Sequence, residues 1–350
     1  MAAAKLIKLS RLSWLKLRAA VVIAAVTLLG YVAVRTWAAG PLVAFEAESG
    51  TPSAGVVVAS ITGSSGGSVV TFAAAATPTP MPVPSSTPTA DACTTSPALP
   101  AAKPIAANTG IPAGTVLSAS GNINVTTAGQ VVSAKNITGG ITVSANNVTI
   151  ENSRITQSGY WAIRVMDGVT GTRVIHNEIT SPNGAYTGIL ATDAFICGNY
   201  LTKFENTITA GGNTIIQANF IEKLLSDSPT AHYDGIEVYS GSNTKIWGNN
   251  IMLTDASGNW RNETGAINIT ATWSNMNAID VKGNWLGGGS YTVYVDEQGY
   301  NVTNATFTNN TWYGTSPAGR ATYGPALIRD NASVTAWIGN TWENGSGIAQ

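Results

Sequence analysis

Short stretches in which apolar and polar residues alternate recur from about residue 108 to the end of the chain at residue 350. They are rich in β-branched residues and run into an asparagine, a pattern typical of strands that end at a sharp turn. Counted from the second copy, the asparagines follow one another at intervals of 25, 22, 20, 30, 35, 25 and 31 residues. A repeat of this length predicts a β-solenoid. The asparagines are Asn136, Asn152, Asn177, Asn199, Asn219, Asn249, Asn284, Asn309 and Asn340.

A second alternating stretch lies between successive asparagines. Its central apolar residues step along the chain by 26, 19, 28, 31, 26 and 34 residues, in time with the first set. A single coil cannot bury its apolar face, whereas stacked coils bury a continuous core and give every strand a parallel neighbour. No helical pattern of useful length interrupts the strands, so the pattern predicts an all-β chain. The central residues are Ile163, Ile189, Ile208, Ile236, Ile267, Val293 and Leu327.

The repeated asparagine has two physical explanations. Asparagine tolerates the left-handed backbone conformation that a sharp corner requires. Its side-chain amide can also bond the same amide one coil away, which forms a ladder inside the stack. We therefore expect a structural role for these residues.

The segments Gly110–Leu117, Ile123–Gly129, Ile141–Val143 and Val148–Ser153 complete a pattern that resembles the right-handed parallel β-helix of the pectate-lyase-like superfamily. The resemblance covers residues 108–350 and implies about eight to nine coils. The superfamily includes polysaccharide lyases, hydrolases, epimerases and non-catalytic adhesive stalks. The resemblance therefore specifies the fold and leaves the activity open.

Charge is scarce in this chain. It carries 18 Lys and Arg and 19 Asp and Glu, a charged fraction of 11% and a net charge of −1. This fraction is less than half of what is usual for soluble domains. The balance argues against a nucleic-acid partner, which requires a basic surface. The polar phrase Trp342–Gly347 predicts a cap that blocks end-to-end stacking, and we expect a monomer.

The first 40 residues have the character of an export segment. Residues 1–18 are basic, and residues 19–34 contain no charge. Two interpretations remain open: a signal peptide that is cleaved near Ala38 and Ala39, or an uncleaved anchor formed by residues 19–39. The weak cleavage site favours the anchor, with the bulk of the chain outside the cell. We expect an exported protein displayed at the cell surface or secreted.

Two further regions separate this segment from the solenoid. Residues 41–72 resemble the first strands of a sugar-binding β-sandwich, because Glu46-Ala47-Glu48 matches the triplet that opens such domains. The sandwich does not continue, and so short a segment cannot build a sandwich core. Residues 73–107 are rich in Pro, Thr and Ala and predict a semi-rigid spacer.

The chain has two cysteines, Cys93 and Cys197. A bridge between them would join the spacer to the solenoid, but an unpaired pair is equally consistent with the sequence. The cysteines and histidines lack the spacing of metal ligands, so no metal site is predicted from them. The resemblance leaves Ca²⁺, held by Asp residues, as a possible cofactor.

The segment from His232 to Tyr239 carries the sharpest candidate chemistry. Alternation places Asp234 at the start of a strand and directs Glu237 outward, while Ile236 faces the core. Similar His-x-Asp-Gly-Ile elements occur in β-helix proteins of the superfamily, and two carboxyl groups can act as acid and base on a glycosidic bond. Alternatively, a His or Arg can act as the base of a β-elimination, with Arg or Ca²⁺ neutralising the sugar carboxylate. The candidate catalytic residues are His232, Asp234, Glu237 and Arg164.

Outward charged and aromatic residues cluster around the second strand of each coil. Aromatic faces stack on sugar rings, and nearby polar groups bond the sugar hydroxyls. We therefore expect a polysaccharide or cell-envelope glycan as the partner. The candidate substrate-binding residues are Trp161, Tyr186, Asp193, Tyr233, Tyr239, Lys245, Tyr294 and Asp296.

Two functions from different classes fit these patterns. One is a polysaccharide lyase or glycoside hydrolase with a groove along the outer strands. The other is a non-catalytic adhesin or envelope protein, which the low charge and the incomplete catalytic signature favour. On that interpretation Asp234 is an ordinary turn residue, and Glu237 is an outward residue surrounded by solvent. An enzyme should bring His232, Asp234, Glu237 and an Arg or Lys into one groove, whereas a stalk should spread its charges evenly.

Overall fold

The computed structural model describes residues 56–60, 68–72, 91–94, 96–329 and 331–350. The chain divides into two compact units, residues 1–85 and 86–350. In the first unit, strand Val56–Ser60 pairs antiparallel with strand Ser68–Phe72. The predicted export segment, Glu46, Glu48 and the spacer before residue 91 lie outside the described residues.

Parallel strands build nearly all of the second unit. Within the described residues, no helix is long and apolar enough to cross a membrane, and the helical structure there is the 3₁₀ turn Ala92–Thr94. The strands stack in three faces, here called A, B and C, which one coil visits in the order B, A, C. The all-β chain with parallel stacking that the alternation predicts is confirmed.

Face A holds the second strand of each coil, and its strands pair in register from one coil to the next. Two strands, Glu178–Ala191 and Tyr200–Ala210, bend and contribute to faces B and A. The other strands of face A are Ile123–Val125, Ile141–Val143, Trp161–Val165, Asp234–Val238, Gly265–Ala271, Tyr291–Glu297 and Gly324–Ile328.

Face B follows the asparagine turns, and face C precedes them. A short ribbon links faces A and C in the later coils. Apart from the two bent strands, face B contains Ser118–Ser120, Lys135–Thr138, Arg154–Thr156, Phe220–Glu222, Asn250–Met252, Trp285–Gly287, Thr311–Trp312 and Thr341–Trp342. Face C contains Val131–Ser133, Thr149–Glu151, Thr172–Ile175, Ala194–Cys197, Ile215–Gln217, Lys245–Trp247, Asp280–Lys282, Ala305–Thr308 and Val334–Ile338. The ribbon contains Gly241–Ser242, Met276–Asn277 and Val302–Thr303.

The predicted apolar residues of the second strands form a column inside the stack. From Ile163 to Val293 they lie opposite one another in register, each fully buried. The prediction is wrong for Leu327, which pairs with the outward Tyr294, whereas Ala326 pairs with Val293. The run Ala326-Leu327-Ile328 is apolar throughout, so alternation could not tell its inward from its outward positions.

The asparagine ladder is present inside the stack. The side-chain amide of each member donates to the side-chain oxygen of the next, at 2.9 to 3.1 Å. Its members are Asn177, Asn199, Asn219, Asn249, Asn284, Asn310 and Asn340. The ladder confirms the second explanation of the repeat for these residues. Three predicted copies depart from the ladder: Asn136 is exposed, Ser153 occupies the ladder position after Asn152, and Asn310 occupies the one after Asn309. Asn152 and Asn309 instead adopt the left-handed conformation of the first explanation.

The first explanation, a left-handed asparagine, is wrong for the ladder itself. The left-handed residue is the one before each ladder asparagine, as at His176 (φ 53°), Ala218 (φ 55°) and Asn309 (φ 54°). Four of these preceding positions are glycines, which adopt that conformation without a steric cost; they are Gly198, Gly248, Gly283 and Gly339. The corner and the ladder therefore use neighbouring residues.

Replacing Asn219 with Ala should lower the free energy of unfolding by about 3 kcal/mol, because several buried groups lose their partners at once. The Asn219 side chain donates to Ile196 O at 3.0 Å and accepts from the Asn199 backbone N–H and amide, both at 2.9 Å. Asn275→Ala is the matched control, since the Asn275 side chain accepts from the Asn301 backbone N–H at 2.9 Å on the exposed surface. Urea unfolding should show a shift below about 1 kcal/mol for the control. Equal shifts would contradict a stabilising ladder.

Residues 91–110, here called the strap, lie along the outside of faces C and B. The Cys93–Cys197 disulfide fastens the strap and answers the question that the sequence left open. Gln217 Nε2 donates to Ala92 O at 2.6 Å, and Asn250 Nδ2 donates to Pro104 O at 2.7 Å. Beneath the strap, Cys93 and Cys197 pack with an apolar cluster on the outer surface of face C. Its other buried members are Ile175, Phe195 and Ala218.

Candidate functional site

The outer surface of face A carries a row of side chains that stand opposite one another on successive strands. The row runs from Arg164 through Leu190 and Thr209 to Glu237, and continues to Asn268 and Tyr294. Neighbouring strands lie about 4.8 Å apart, so the row follows the direction of stacking. A chain-like ligand could lie along it.

Three carboxyl groups converge in the middle of this face. Asp234, Glu237 and Glu205, here called the carboxyl cluster, are 1%, 7% and 7% exposed. Ser226 Oγ donates to Glu205 Oε2 at 2.6 Å, and the His232 backbone N–H donates to Glu205 Oε1 at 3.2 Å. Within the described residues, none of the three carboxyl groups forms an ion pair with a Lys, Arg or His side chain.

Several buried oxygen atoms around the cluster lack a hydrogen-bond partner. They include Asp234 Oδ1 and Glu237 Oε2, together with Asn206 Oδ1 and Thr209 Oγ1 on the adjacent strand. Asn206 lies opposite Asp234, and Thr209 lies opposite Glu237. Leaving buried polar atoms unpaired costs free energy, and proteins rarely do so without a functional reason. Their concentration on two strands therefore marks this part of face A as a site.

The pKa of the Glu237 carboxyl is raised toward neutral pH. Burial raises the pKa of its carboxyl, a hydrogen bond from Tyr239 lowers it, and the negative charge of Glu205 raises it again, so that the net pKa is about 7. A carboxyl with such a pKa can donate or accept a proton under physiological conditions.

The pKa of the Asp234 carboxyl is raised as well. Burial and then the charge of Glu237 raise the pKa of Asp234 well above its ordinary value, and Glu205 adds to the effect. The Gly265 backbone N–H and the Asn268 side chain oppose it. Neighbouring carboxylates repel each other when both are ionised. The cluster therefore retains a proton at neutral pH. It therefore offers a carboxylic acid next to a carboxylate.

Aromatic rings extend from the cluster along the stack. Ring centroids are 4.4 Å apart for Trp161 and Tyr160, 4.6 Å for Tyr160 and Tyr186, and 4.9 Å for Tyr239 and Trp273. Tyr186 and Tyr239 share a hydrogen bond, which joins the two parts into one aromatic stripe. Tyr160 and Trp273 are 53% and 65% exposed, so their faces are available to a ligand.

An open cleft of about 410 Å³ lies beside the stripe. Tyr160, Tyr186 and Glu205 line it, together with the loop 226–228. Asp234 and Glu237 are not lining residues. The charge of Glu205 acts on both carboxyls, and the charge of Glu237 acts on Tyr186. The cleft thus meets the carboxyl cluster at Glu205 and Tyr186.

The structure brings some of the predicted site residues together. Asp234, Glu237, Tyr186 and Tyr239 meet at the cluster, and Trp161 lies at one end of the aromatic stripe. The side chain of His232 is exposed, and its backbone N–H contacts Glu205.

Arg164 does not meet the carboxyl cluster. It stands in the same row as Glu237 but three strands away, about 14 Å at the usual strand spacing. Its guanidinium carbon lies 4.3 Å from the centre of the Trp161 ring. Arg164 is therefore out of reach of the carboxyl cluster.

Three other predicted residues lie elsewhere. Lys245 belongs to face C, opposite Asp280, and so lies on a different face from Glu237. Asp193 occupies a corner with φ 46° and accepts a hydrogen bond from Asn213 at 3.0 Å. Tyr233 is covered by the guanidinium of Arg261, 3.6 Å from its ring centre.

Tyr294 and Asp296 belong to face A farther along the stack. Tyr294 lies two strands from Glu237 in the same row. Asp296 is paired with Arg329 at 3.3 Å, which neutralises its charge. Neither residue meets the carboxyl cluster, and Asp296 is buried.

Glu205 is the functional residue that the sequence analysis missed. The steps of Ile208 and Ile236 already align the two strands, and they place Glu205 within one residue of the position opposite Asp234. Glu205 lies in the middle of the long strand Tyr200–Ala210, whereas the predicted charged residues lie around the second strand of each coil and its exit.

Ca²⁺ does not fit the carboxyl cluster. Within the described residues, one group of three acidic, histidine or cysteine ligands comes within 4.8 Å, and it consists of Asp91, Cys93 and His176. The oxygens of the carboxyl cluster are therefore too dispersed to share one ion. At the strap, the sulfur of Cys93 is held in the disulfide and is not available as a thiolate ligand.

Comparison with known proteins gives one distant similarity. No protein-family model matches the chain, and no curated protein matches it. Among solved structures, the chain is similar to the catalytic unit of a thermostable GH87 alpha-1,3-glucanase from Streptomyces thermodiastaticus strain HF3-3. The match has 15% identity and a TM-score of 0.24, and covers 67% of this chain and 52% of that one. The chain thus spans about half of the glucanase unit.

Proposed function

We propose that this protein is a glycoside hydrolase that cleaves a polysaccharide lying along face A of a right-handed parallel β-helix of eight to nine coils. The observation that carries the proposal is the carboxyl cluster, in which Asp234 and Glu237 are buried, raised in pKa and left with open oxygen atoms. Such an arrangement costs stability and is suited to moving protons.

The reaction needs one acid and one base. A protonated carboxyl of the cluster donates its proton to the glycosidic oxygen as the bond from that oxygen to the anomeric carbon breaks. A water molecule supplies the hydroxyl group at the anomeric carbon, and an ionised carboxyl accepts the proton of that water. Burial and mutual repulsion hold the cluster in the mixed protonation state that this exchange requires.

Hydrolysis fits the site better than elimination. A lyase must remove a proton next to a sugar carboxylate and needs a cation to stabilise the resulting charge. Among the described residues, Arg164 lies about three strands from Glu237 and Lys245 lies on face C. The oxygen ligands of the cluster do not converge on one metal ion. Two or more carboxyl groups without a nearby cation can supply the acid and the base that a hydrolase needs.

The alternative is a non-catalytic adhesin that holds a glycan on the aromatic stripe. The exposed rings of Tyr160 and Trp273 favour sugar binding in either case. Binding alone gives no reason to bury Asp234 and Glu237 with unpaired oxygens. The carboxyl cluster therefore favours the enzyme.

The rest of the proposal concerns location. We place the solenoid outside the cell as a monomer, with residues 19–39 as its anchor and the Pro-, Thr- and Ala-rich residues before the strap as a spacer. A cell-envelope or environmental polysaccharide is then within reach of face A.

The test is the release of reducing ends from mannan, glucan, pectic, alginate and bacterial-envelope polysaccharides by the full chain. Hydrolysis in heavy-oxygen water should place one heavy oxygen at each new reducing end, whereas elimination would give an unsaturated product that absorbs ultraviolet light. The matched control is the triple variant Glu205→Gln, Asp234→Asn, Glu237→Gln, which preserves side-chain shape and should release nothing. If the folded wild type binds a polysaccharide but releases no reducing ends from it, the hydrolase proposal is wrong and the adhesin is favoured.

A further inference from the structure

A second cleft, of about 310 Å³, adjoins the first on face A. Tyr160 lines both clefts, so a sugar chain stacked on Tyr160 would extend from one into the other. Trp161, Arg164, Asn122 and Asn124 also line the second cleft.

The polar lining of this second cleft includes hydrogen-bond donors that no other described group engages. The Arg164 guanidinium stacks on Trp161 and has no hydrogen bond or ion pair within the described residues. Asn122 Oδ1 accepts from the Gly140 backbone N–H at 2.8 Å, which leaves its Nδ2 as a donor. Gln157 is already engaged, since its Nε2 donates to Trp161 O at 2.9 Å and its Oε1 accepts from Gly159.

Among the residues that the structure describes, no Asp or Glu lines this cleft. A stacked guanidinium is held in a fixed orientation and presents parallel N–H donors that match a carboxylate or another oxyanion. Positive charge, free donors and an aromatic platform together select a sugar that carries a negative substituent.

We propose that the cleft around Arg164 is a subsite for an anionic substituent of the polysaccharide, namely a sugar carboxylate or sulfate. The inference rests on the proposed function, because it extends the binding path of the same substrate. Arg164 lies about 14 Å from Glu237 along the row. The charged sugar is therefore remote from the cleaved bond, and Arg164 selects the substrate without taking part in the cleavage.

The test compares binding of charged oligosaccharides with that of their neutral counterparts. The probes are galacturonan and mannuronan oligosaccharides with carboxyl-reduced versions of each, and dextran oligosaccharides with and without sulfate. Binding is measured by calorimetry on the triple carboxamide variant of the carboxyl cluster, so that a failure of the proposed hydrolysis does not affect the result. The carboxylate and sulfate arms separate the two sources of charge.

We expect at least one charged probe to bind more tightly than its neutral counterpart. Adding Arg164→Met, which keeps an unbranched chain over Trp161, should reduce that preference about tenfold. Higher salt should weaken the preference in the parent and hardly affect the Arg164→Met protein. A purely structural arginine would produce neither change.

Arg173→Met is the matched control, because Arg173 also stacks on a ring, 4.6 Å from the centre of Phe195, but on face C. It should leave the preference unchanged. The proposal is overturned if no charged probe is preferred, if Arg164→Met retains the preference, or if Arg173→Met reduces it equally.

Discussion

Glu237→Gln is expected to make the protein more stable and less active at the same time. Burial raises the pKa of Glu237 from 4.5 to about 7. The folded state therefore binds a proton that the unfolded chain has released, and stability falls as the pH rises from about 4.5 to about 7. Above that range the ionised Glu237 costs about 3 kcal/mol, which Gln does not carry.

The stabilisation should therefore depend on pH. Below pH 4 the carboxyl is protonated in both states, and Glu237→Gln should change the free energy of unfolding little. Above pH 7 the variant should gain about 3 kcal/mol. Asp234, Glu205, Tyr186 and Tyr239 face the same group, and the charge of Glu205 strengthens the effect. Urea unfolding at several pH values measures the gain.

Polysaccharide cleavage by Glu237→Gln should fall by about 10² to 10⁴, because Gln has the same shape but moves no proton. Glu178→Gln is the control, since Glu178 makes an exposed ion pair with Arg154 at 2.8 Å. It should lose at most about 1 kcal/mol and keep its activity. A Glu237→Gln protein that is less stable at pH 8, or equally active, would show that the carboxyl serves the fold.

The sequence predicted the positions that repetition controls. Ile163 to Val293 lie in register because each coil must bury one apolar residue at that point, and a single misplaced residue would expose the column. The ladder from Asn177 onward follows for a related reason, since a buried amide needs the next amide as its partner.

The candidate site was less accessible to the same reasoning. Lys245 and Glu237 are eight residues apart, yet a turn sends them to different faces. Glu205 and Glu237 are far apart in sequence, yet adjacent strands bring them together. Alternation shows which side of a strand a residue occupies, but the lengths of the turns decide which strands share a face. Those lengths vary from coil to coil.

Removal of the disulfide by Cys93→Ala with Cys197→Ala should lower the free energy of unfolding by about 3 to 5 kcal/mol. The bridge spans 104 residues of sequence, and closing so long a loop restricts the unfolded chain strongly. The double substitution leaves no lone thiol and keeps small apolar side chains within the cluster of Ile175 and Phe195. Urea unfolding measures the loss, and reduction of the wild type should reproduce it.

The same variant separates the strap from the solenoid. The strap keeps its bonds from Gln217 to Ala92 and from Asn250 to Pro104 after the bridge is gone. These two hydrogen bonds hold only the strap and not the stacked coils. The strap should therefore open more often than the stack unfolds. Hydrogen exchange should therefore rise at Ala98, whose N–H donates to Gln217 Oε1 at 3.1 Å, and at Gly110, whose N–H donates to Gly198 O at 2.8 Å, but not along the asparagine ladder. Unchanged stability and exchange would mean that face C holds the strap without the bridge, whereas faster exchange throughout the ladder would make the bridge a support of the whole stack.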